Sequence, residues 1–181
     1  MNIASQTNPT MVKLCELIQG LPLSMLTSRV GGGGITTARM PPLEIDSNGD
    51  FWFYADWNST RLEQLRLLNL TFSDPTRGYF VSLAGCGELN HDPVQIDRLW
   101  NSQAESWFPD GPGSRDVALL KFMPDSADYW DAAGGKIVHL LGVSAYMPVN
   151  EPGDDPLPHH QVARWPSWSD GIAGNAWATS G

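Results

Sequence analysis

Between residues 68 and 85 the chain alternates apolar and polar side chains twice over, and this pattern restricts its fold more than any other feature. Leu68, Leu70 and Phe72 alternate with Asn69, Thr71 and Ser73 as far as Asp74-Pro75, and Tyr79 to Gly85 alternates in the same manner. A period of two places successive side chains on opposite faces of a strand, so each segment buries one face and leaves the other toward solvent. More strand-like stretches surround this pair. Leu23 to Arg29 and Ile35 to Ile45 are rich in Thr, Leu, Ile and Val, and the glycines at 31–34 between them suit a hairpin. Asp46-Ser47-Asn48-Gly49-Asp50 carries the Asn-Gly turn signal and leads into the aromatic run Phe51 to Ala55, predicting three strands in meander order. Val117 to Met123 reads as a later strand, and Lys136 to Tyr146 as another interrupted by glycines.

Helical signals are few and lie outside or between the strands. Met11, Leu14, Cys15 and Ile18 recur at helical spacing before Gly20 and Pro22. Thr60-Arg61-Leu62-Glu63 matches a capping box and predicts a short helix to about Leu67. Asp92-Pro93 opens a further helix, along one face of which fall Ile96, Leu99, Trp100, Ala104 and Trp107. Hairpin-joined antiparallel strands with peripheral helices predict a mainly β barrel in place of a βαβ fold. Residues 1–147 read as one domain, and 148–181, rich in Pro, Gly, Ser, Asp and Trp without periodicity, as a C-terminal tail.

Charge and composition narrow the functions. A formal net charge of −9, with 11 Lys and Arg against 20 Asp and Glu, offers no broad cationic face to a nucleic acid or an anionic membrane. Most of the few basic residues are Arg, which suits bidentate recognition of one small phosphate or carboxylate. Cys15 and Cys86 fit no metal spacing and read as free buried thiols. His91, His139, His159 and His160 match no metal pattern either, and no metal site is expected. The polar stretch from Met1 to Thr10 is unlike a signal peptide and no segment approaches the length of a membrane span, so the expected location is the cytoplasm. The glycines at 31–34 lack the Lys-Ser or Lys-Thr pair of a phosphate loop, and Ser82 and Ser144 lack the surroundings of a hydrolase nucleophile.

One constellation does suggest a ligand. Arg39-Met40 lies in one strand, Trp52-Phe53 in the next, and Asn58-Ser59-Thr60-Arg61 at the mouth of a helix. Free N–H groups at a helix start, the hydroxyls of Ser59 and Thr60, and the guanidinium groups of Arg39 and Arg61 are the components of a phosphomonoester pocket. Spacing alone favours the plainer reading, in which Ser59 and Thr60 merely cap the helix and both arginines are solvated.

From Leu23 to Asp131 the chain resembles the general stress protein branch of the pyridoxamine 5'-phosphate oxidase-like flavoproteins. The resemblance is carried by Arg39-Met40, by Gly49-Asp50-Phe51-Trp52-Phe53 leading to Ser59-Thr60-Arg61-Leu62-Glu63-Gln64-Leu65, and by Tyr79-Phe80-Val81-Ser82-Leu83-Ala84-Gly85. Leu99-Trp100, Trp107-Phe108-Pro109-Asp110-Gly111 and Tyr129-Trp130-Asp131 follow in order. The resemblance implies an antiparallel split β-barrel, a homodimer, and FMN, or FAD, held at the subunit interface. It further implies that Arg39, Ser59, Thr60 and Arg61 hold the flavin phosphate, that Met40 and the Trp52-Phe53 strand border the isoalloxazine, and that Trp107 or Trp130 covers it from the partner. Two departures stand out: Met40 precedes Pro41-Pro42 where the family has Pro directly after the strand arginine, and Arg61 stands where Lys is commoner.

The implied function is flavin binding of the general stress type, with FMN-dependent oxidoreductase activity on an unassigned substrate. Two alternatives stay open, a true pyridoxamine 5'-phosphate oxidase and a dimeric scaffold without flavin.

Overall fold

The computed structural model describes residues 1–141 apart from 22, 31–32, 59, 61 and 132–135. In chain order the elements are β1 (Asn2–Ile3), α1 (Pro9–Ile18), β2 (Ser24–Arg29), β3 (Ile35–Met40), β4 (Glu44–Ile45), β5 (Phe51–Asp56), a 3-10 helix (Leu62–Arg66) and β6 (Leu68–Asp74). There follow β7 (Tyr79–Asn90), α2 (Pro93–Leu99), α3 (Ser102–Trp107), β8 (Val117–Asp131) and β9 (Lys136–Leu141). Among the described residues nine strands form one sheet in the order β1-β4-β5-β8-β7-β6-β2-β3, with β9 pairing β8. Only β1 with β4 is parallel among these pairings.

The sheet curls around a core to which nearly every strand contributes. Leu26, Phe51, Phe53, Leu70, Phe72, Val81, Leu83, Leu120, Phe122 and Ala127 pack into one buried cluster, joined by Met11, Leu14, Cys15, Leu17 and Ile18 of α1. The helix is capped by Asn8, whose side chain accepts from the Thr10 N–H, and it lays its apolar face on the barrel interior. The fold is therefore mainly β with peripheral helices, as the alternation predicts.

β5 explains why a second layer exists. Phe51, Phe53 and Ala55 face the barrel core, whereas Trp52 and Tyr54 face outward onto Ile96, Leu99 and Ala104 of α2 and α3, with Val117 and Leu119 of β8 beside them. A strand buried on both faces needs a continuous apolar run, which Phe51 to Ala55 supplies. The Glu44 carboxylate, 6% exposed, fastens α2 in place: it accepts from Arg98 Nη1 at 2.6 Å and Nη2 at 3.2 Å.

The structure corrects several boundaries. The three-strand meander does not form, because β5 pairs β4 and β8 while β3 pairs only β2 among the described residues. Pro41 and Pro42 lack the N–H a ladder needs and divide the expected strand 35–45 into β3 and β4. The expected helix from 93 to 107 is two helices, since Asn101 caps a new one by accepting from the N–H groups of Gln103 and Ala104. The helix after Thr60 is a five-residue 3-10 helix. Strands β7 and β8 run well past the predicted ends at Gly85 and Met123. The described residues lie within a compact unit spanning Met1–Tyr146, and the proposed tail at 148–181 falls outside them.

Two buried acids make the fold sensitive to alkali. Burial pushes the Cys15 thiol above its ordinary 9.0. Burial likewise raises the Tyr54 phenol above 10.0, opposed by a backbone hydrogen bond at Asn101; its hydroxyl donates to the Leu99 carbonyl at 2.5 Å. Above these values the unfolded chain gives up protons that the folded chain keeps, so stability falls as pH rises, by at most about 1.4 kcal/mol per unit for each group. The urea midpoint should drop from pH 9 upward. Cys15→Ala should flatten the first part of that decline and Tyr54→Phe the later part; slopes unchanged in both variants would refute the assignment.

Candidate functional site

The barrel is open along one side, and the opening follows from unequal strand lengths. β4 has only two residues, which pair with Phe51 and Trp52, so among the described residues no strand pairs that edge of β5 from Phe53 to Asp56. β3 ends the other side of the sheet. Between them lies a cleft of about 450 Å³ lined by Ser28, Thr36, Ala38, Met40, Tyr54, Asp56, Thr60, Gln64 and neighbouring apolar residues. Strand parity decides which side chains reach it: the even positions 26 and 28 of β2 and 36, 38 and 40 of β3 line the cleft. The odd positions face away, as the 2.9 Å contact between the Thr27 and Thr37 hydroxyls across the two strands shows.

The residues singled out from sequence separate accordingly. Met40 and Thr60 line the same cleft. Thr60 is held there by its N–H, which donates to the Asp56 carbonyl at 3.0 Å. Arg39 is exposed at an odd position of β3, opposite Met25, and so starts on the far face of that edge strand. Trp52 and Phe53 line neither this cleft nor the trough described below. Phe53 is fully buried in the barrel core. Trp52 is buried under α2 and α3, its Nε1 donating to Asp46 Oδ2 at 2.9 Å. The same Asp46 carboxylate accepts from the N–H groups of Asn48 and Asp50. Asp50 in turn bonds Lys121 at 2.8 Å and raises its pKa. This network holds Trp52 beneath the helices, and of β5 it is Tyr54, Ala55 and Asp56 that border the cleft. Ser59 and Arg61 lie outside the described residues.

Trp107 is 47% exposed and sits edge-on to Tyr54, a residue of the cleft wall, at 6.5 Å between ring centroids. Trp130 is elsewhere. It opposes Phe80 across β7 and β8, and both rings are exposed on the outer face of the sheet. There they border a trough of about 560 Å³ with Thr71, Ser73, Ser82 and Asp128.

Sequence reasoning misses Ser28, Thr36, Ala38 and Gln64 of the cleft lining. Parity along the first hairpin could have placed Ser28, Thr36 and Ala38 with Met40, but only the topology shows that this face looks onto β5. Both cysteines are free thiols, Cys15 buried and Cys86 partly so. Among the described residues no three His, Cys, Asp or Glu side chains cluster to hold a metal, and no helix is long and apolar enough to cross a membrane.

Residues 9–147 match the family model described as pyridoxamine 5'-phosphate oxidase like. The chain belongs to this family. Solved structures of the same fold include a Clostridium acetobutylicum protein related to general stress protein 26 of B. subtilis, with 22% identity and a TM-score of 0.62 over 71% of this chain and 92% of that one. The general stress FMN/FAD binding protein of Xanthomonas citri matches with 24% identity and a TM-score of 0.57 over 77% and 98%. A pyridoxamine 5'-phosphate oxidase-related, FMN binding protein of Nostoc punctiforme PCC 73102 matches with 12% identity and a TM-score of 0.56 over 73% and 88%. These likenesses establish the split-barrel fold of this pyridoxamine 5'-phosphate oxidase-like chain. No match is found among curated proteins.

Proposed function

We propose that this member of the family binds a flavin nucleotide, FMN in preference to FAD, as a homodimer, and works as a flavin-dependent oxidoreductase on a substrate still to be assigned. The observation that carries the reading is the cleft between β3 and the uncovered half of β5, about 450 Å³, in the range of small-molecule and cofactor sites. Its lining suits a large amphipathic ligand. Met40, Leu26, Ala55 and Leu120 supply apolar wall, and Ser28, Thr36, Thr60 and Gln64 supply hydrogen-bonding groups.

In this reading Thr60, with Ser59 and Arg61, takes the phosphate at the start of the 3-10 helix. Five residues of 3-10 helix align few peptide dipoles, so recognition rests on the hydroxyls and guanidinium groups more than on the helix. Arg39 begins on the far face, but β3 is an edge strand and a long arginine has the reach to come over that edge. Trp107 or Trp130 of a second copy would cover the ring, as buried aromatics stack on planar systems at little entropic cost. When bound, FMN supplies the electron-transfer chemistry, and the protein supplies binding, orientation and exclusion of water.

The test is an absorbance titration of the purified chain with FMN, FAD and pyridoxal phosphate. Saturable FMN uptake, weakened about 100-fold or more in the Arg39→Ala, Arg61→Ala double variant, is the expected outcome, equivalent to about 2.7 kcal/mol. A double variant that keeps full affinity would remove the phosphate pocket. A preparation that takes up no flavin would leave the scaffold reading in its place, and oxygen consumption with pyridoxamine 5'-phosphate would favour the oxidase.

A further inference from the structure

The segment that carries Thr60 into the cleft has little apolar burial to hold it. Asp56, Trp57 and Asn58 are all exposed, so the course of the chain from the end of β5 to Thr60 depends on polar ties. Two of these are internal: the Asn58 N–H donates to Asp56 Oδ1 at 2.8 Å, and the Thr60 N–H to the Asp56 carbonyl at 3.0 Å. Two more come from a remote residue. Asp116, which immediately precedes β8, accepts the Trp57 N–H on its carbonyl at 2.9 Å and Asn58 Nδ2 on its carboxylate at 2.7 Å. The Trp57 ring also packs edge-on against His91, with centroids 3.9 Å apart.

Asp116 is a firm anchor because it is tied back to the same cleft. Its N–H donates to Ser114 Oγ at 3.3 Å, the Ser114 N–H to the Gly111 carbonyl at 3.1 Å, and the Gly111 N–H to the Phe108 carbonyl at 3.0 Å. The Phe108 ring packs against Tyr54, a residue of the cleft wall, with centroids 6.2 Å apart. Tyr54 and Thr60, the two ends of this chain of contacts, therefore both line the cleft. The Asn58–Asp116 bond closes the circuit between residues 58 apart in sequence, and a carboxylate acceptor makes it stronger than a bond between neutral groups. The backbone half of the clasp survives any change of side chain at 116, so the carboxylate governs only where Asn58 and the chain after it lie.

We infer that Asp116 is a positioning residue for phosphate recognition: acting through Asn58, it sets the Thr60 hydroxyl where a phosphate in the cleft meets it. This rests on the reading that Thr60 takes the flavin phosphate. It goes further by assigning the preference for a phosphorylated over an unphosphorylated flavin to a residue that does not line the cleft. The negative charge of Asp116 has the wrong sign for contact with a phosphate. Its use here is as a hydrogen-bond acceptor, and an uncharged acceptor of the same shape serves equally well.

The experiment compares FMN with riboflavin, which has the same ring and ribityl chain and no phosphate, in titrations of the full wild-type chain, Asp116→Ala, Asp116→Asn and Asn58→Ala. Asp116→Ala and Asn58→Ala should each weaken FMN by about 10-fold, the size of one charge-assisted hydrogen bond, and leave riboflavin within about twofold of the wild type. Combining them should cost no more than either alone, because both remove the same contact. Asp116→Asn, which keeps the acceptor oxygen, should bind FMN at least as tightly as the wild type. Equal weakening of FMN and riboflavin would make Asp116 a merely structural residue and overturn the inference. So would an FMN preference that survives Asp116→Ala and Asn58→Ala but is lost in the Arg39→Ala, Arg61→Ala double variant, a result that leaves the phosphate pocket standing. A wild-type chain that binds riboflavin as tightly as FMN would remove the pocket itself, and this role of Asp116 with it.

Discussion

Gly85→Ala is expected to destabilise the protein by about 3 kcal/mol or more, enough to leave much of the chain unfolded at 37 °C if its stability is at the low end of the usual range. The reason is local. A methyl group built at Gly85 would stand 2.1 Å from the Met123 carbonyl oxygen and 3.0 Å from Pro124 Cα, and both are backbone. A neighbouring side chain could rotate aside, but here the β7–β8 ladder itself would have to open. Gly87, two residues on, is the natural control. Its added Cβ would meet Leu120 Cδ1 at 2.8 Å and Leu68 Cδ1 at 2.9 Å, the far ends of flexible side chains, so Gly87→Ala should cost about 1–3 kcal/mol by overpacking. Urea melts of the two variants read the difference directly as midpoints. A Gly85→Ala protein as stable as Gly87→Ala would mean that the strands do not approach as described.

The same spot explains where the sequence was hardest to read. Gly85 and Pro124 look like terminators, and a strand reading that stops at Gly85 on β7 and at Met123 on β8 treats them so. In the structure they face each other at a bulge, where the register passes from Ala84 opposite Ser126 to Gly85 opposite Pro124. A proline lacks the ladder N–H, and a bulge is one of the few places a strand tolerates it. Both strands therefore continue, to Asn90 and Asp131: the added residues of β7 pair with Leu119 to Met123, and those of β8 bring Trp130 opposite Phe80. What local pattern does convey is face: the alternation in Leu68 to Ser73 and Tyr79 to Gly85 places Leu70, Phe72, Val81 and Leu83 in the core as predicted.

Neighbourhood is a different matter. That β5 pairs β8, more than sixty residues later, and leaves β3 across an open gap has no local signal. For the candidate site this meant that residue types could be named and sides could not. Met40 and Thr60 were identified and share the cleft, while Trp52 and Phe53, selected for the same ligand, belong to the two cores on either side of β5.

Ala38→Trp should abolish flavin uptake while leaving the fold intact, and it tests the cleft by its shape, independently of any charge. Ala38 is exposed on edge strand β3 and lines the cleft between Thr36 and Met40. Trp is well suited to a strand, and at this position its indole would occupy the space between β3 and Tyr54 without entering the core. FMN affinity is expected to fall about 100-fold or more, with the thermal midpoint little changed. Ile35→Trp provides the control: it enlarges a residue that is already 73% exposed, at an odd position of the same strand that faces away from the cleft, and should leave uptake as it was. The reverse result, uptake lost with a Trp at 35 and kept with a Trp at 38, would move the flavin to the face from which Arg39 projects. The cleft would then be a packing gap of the barrel, and the arginine would bind from its own side of the sheet with no need to cross the edge.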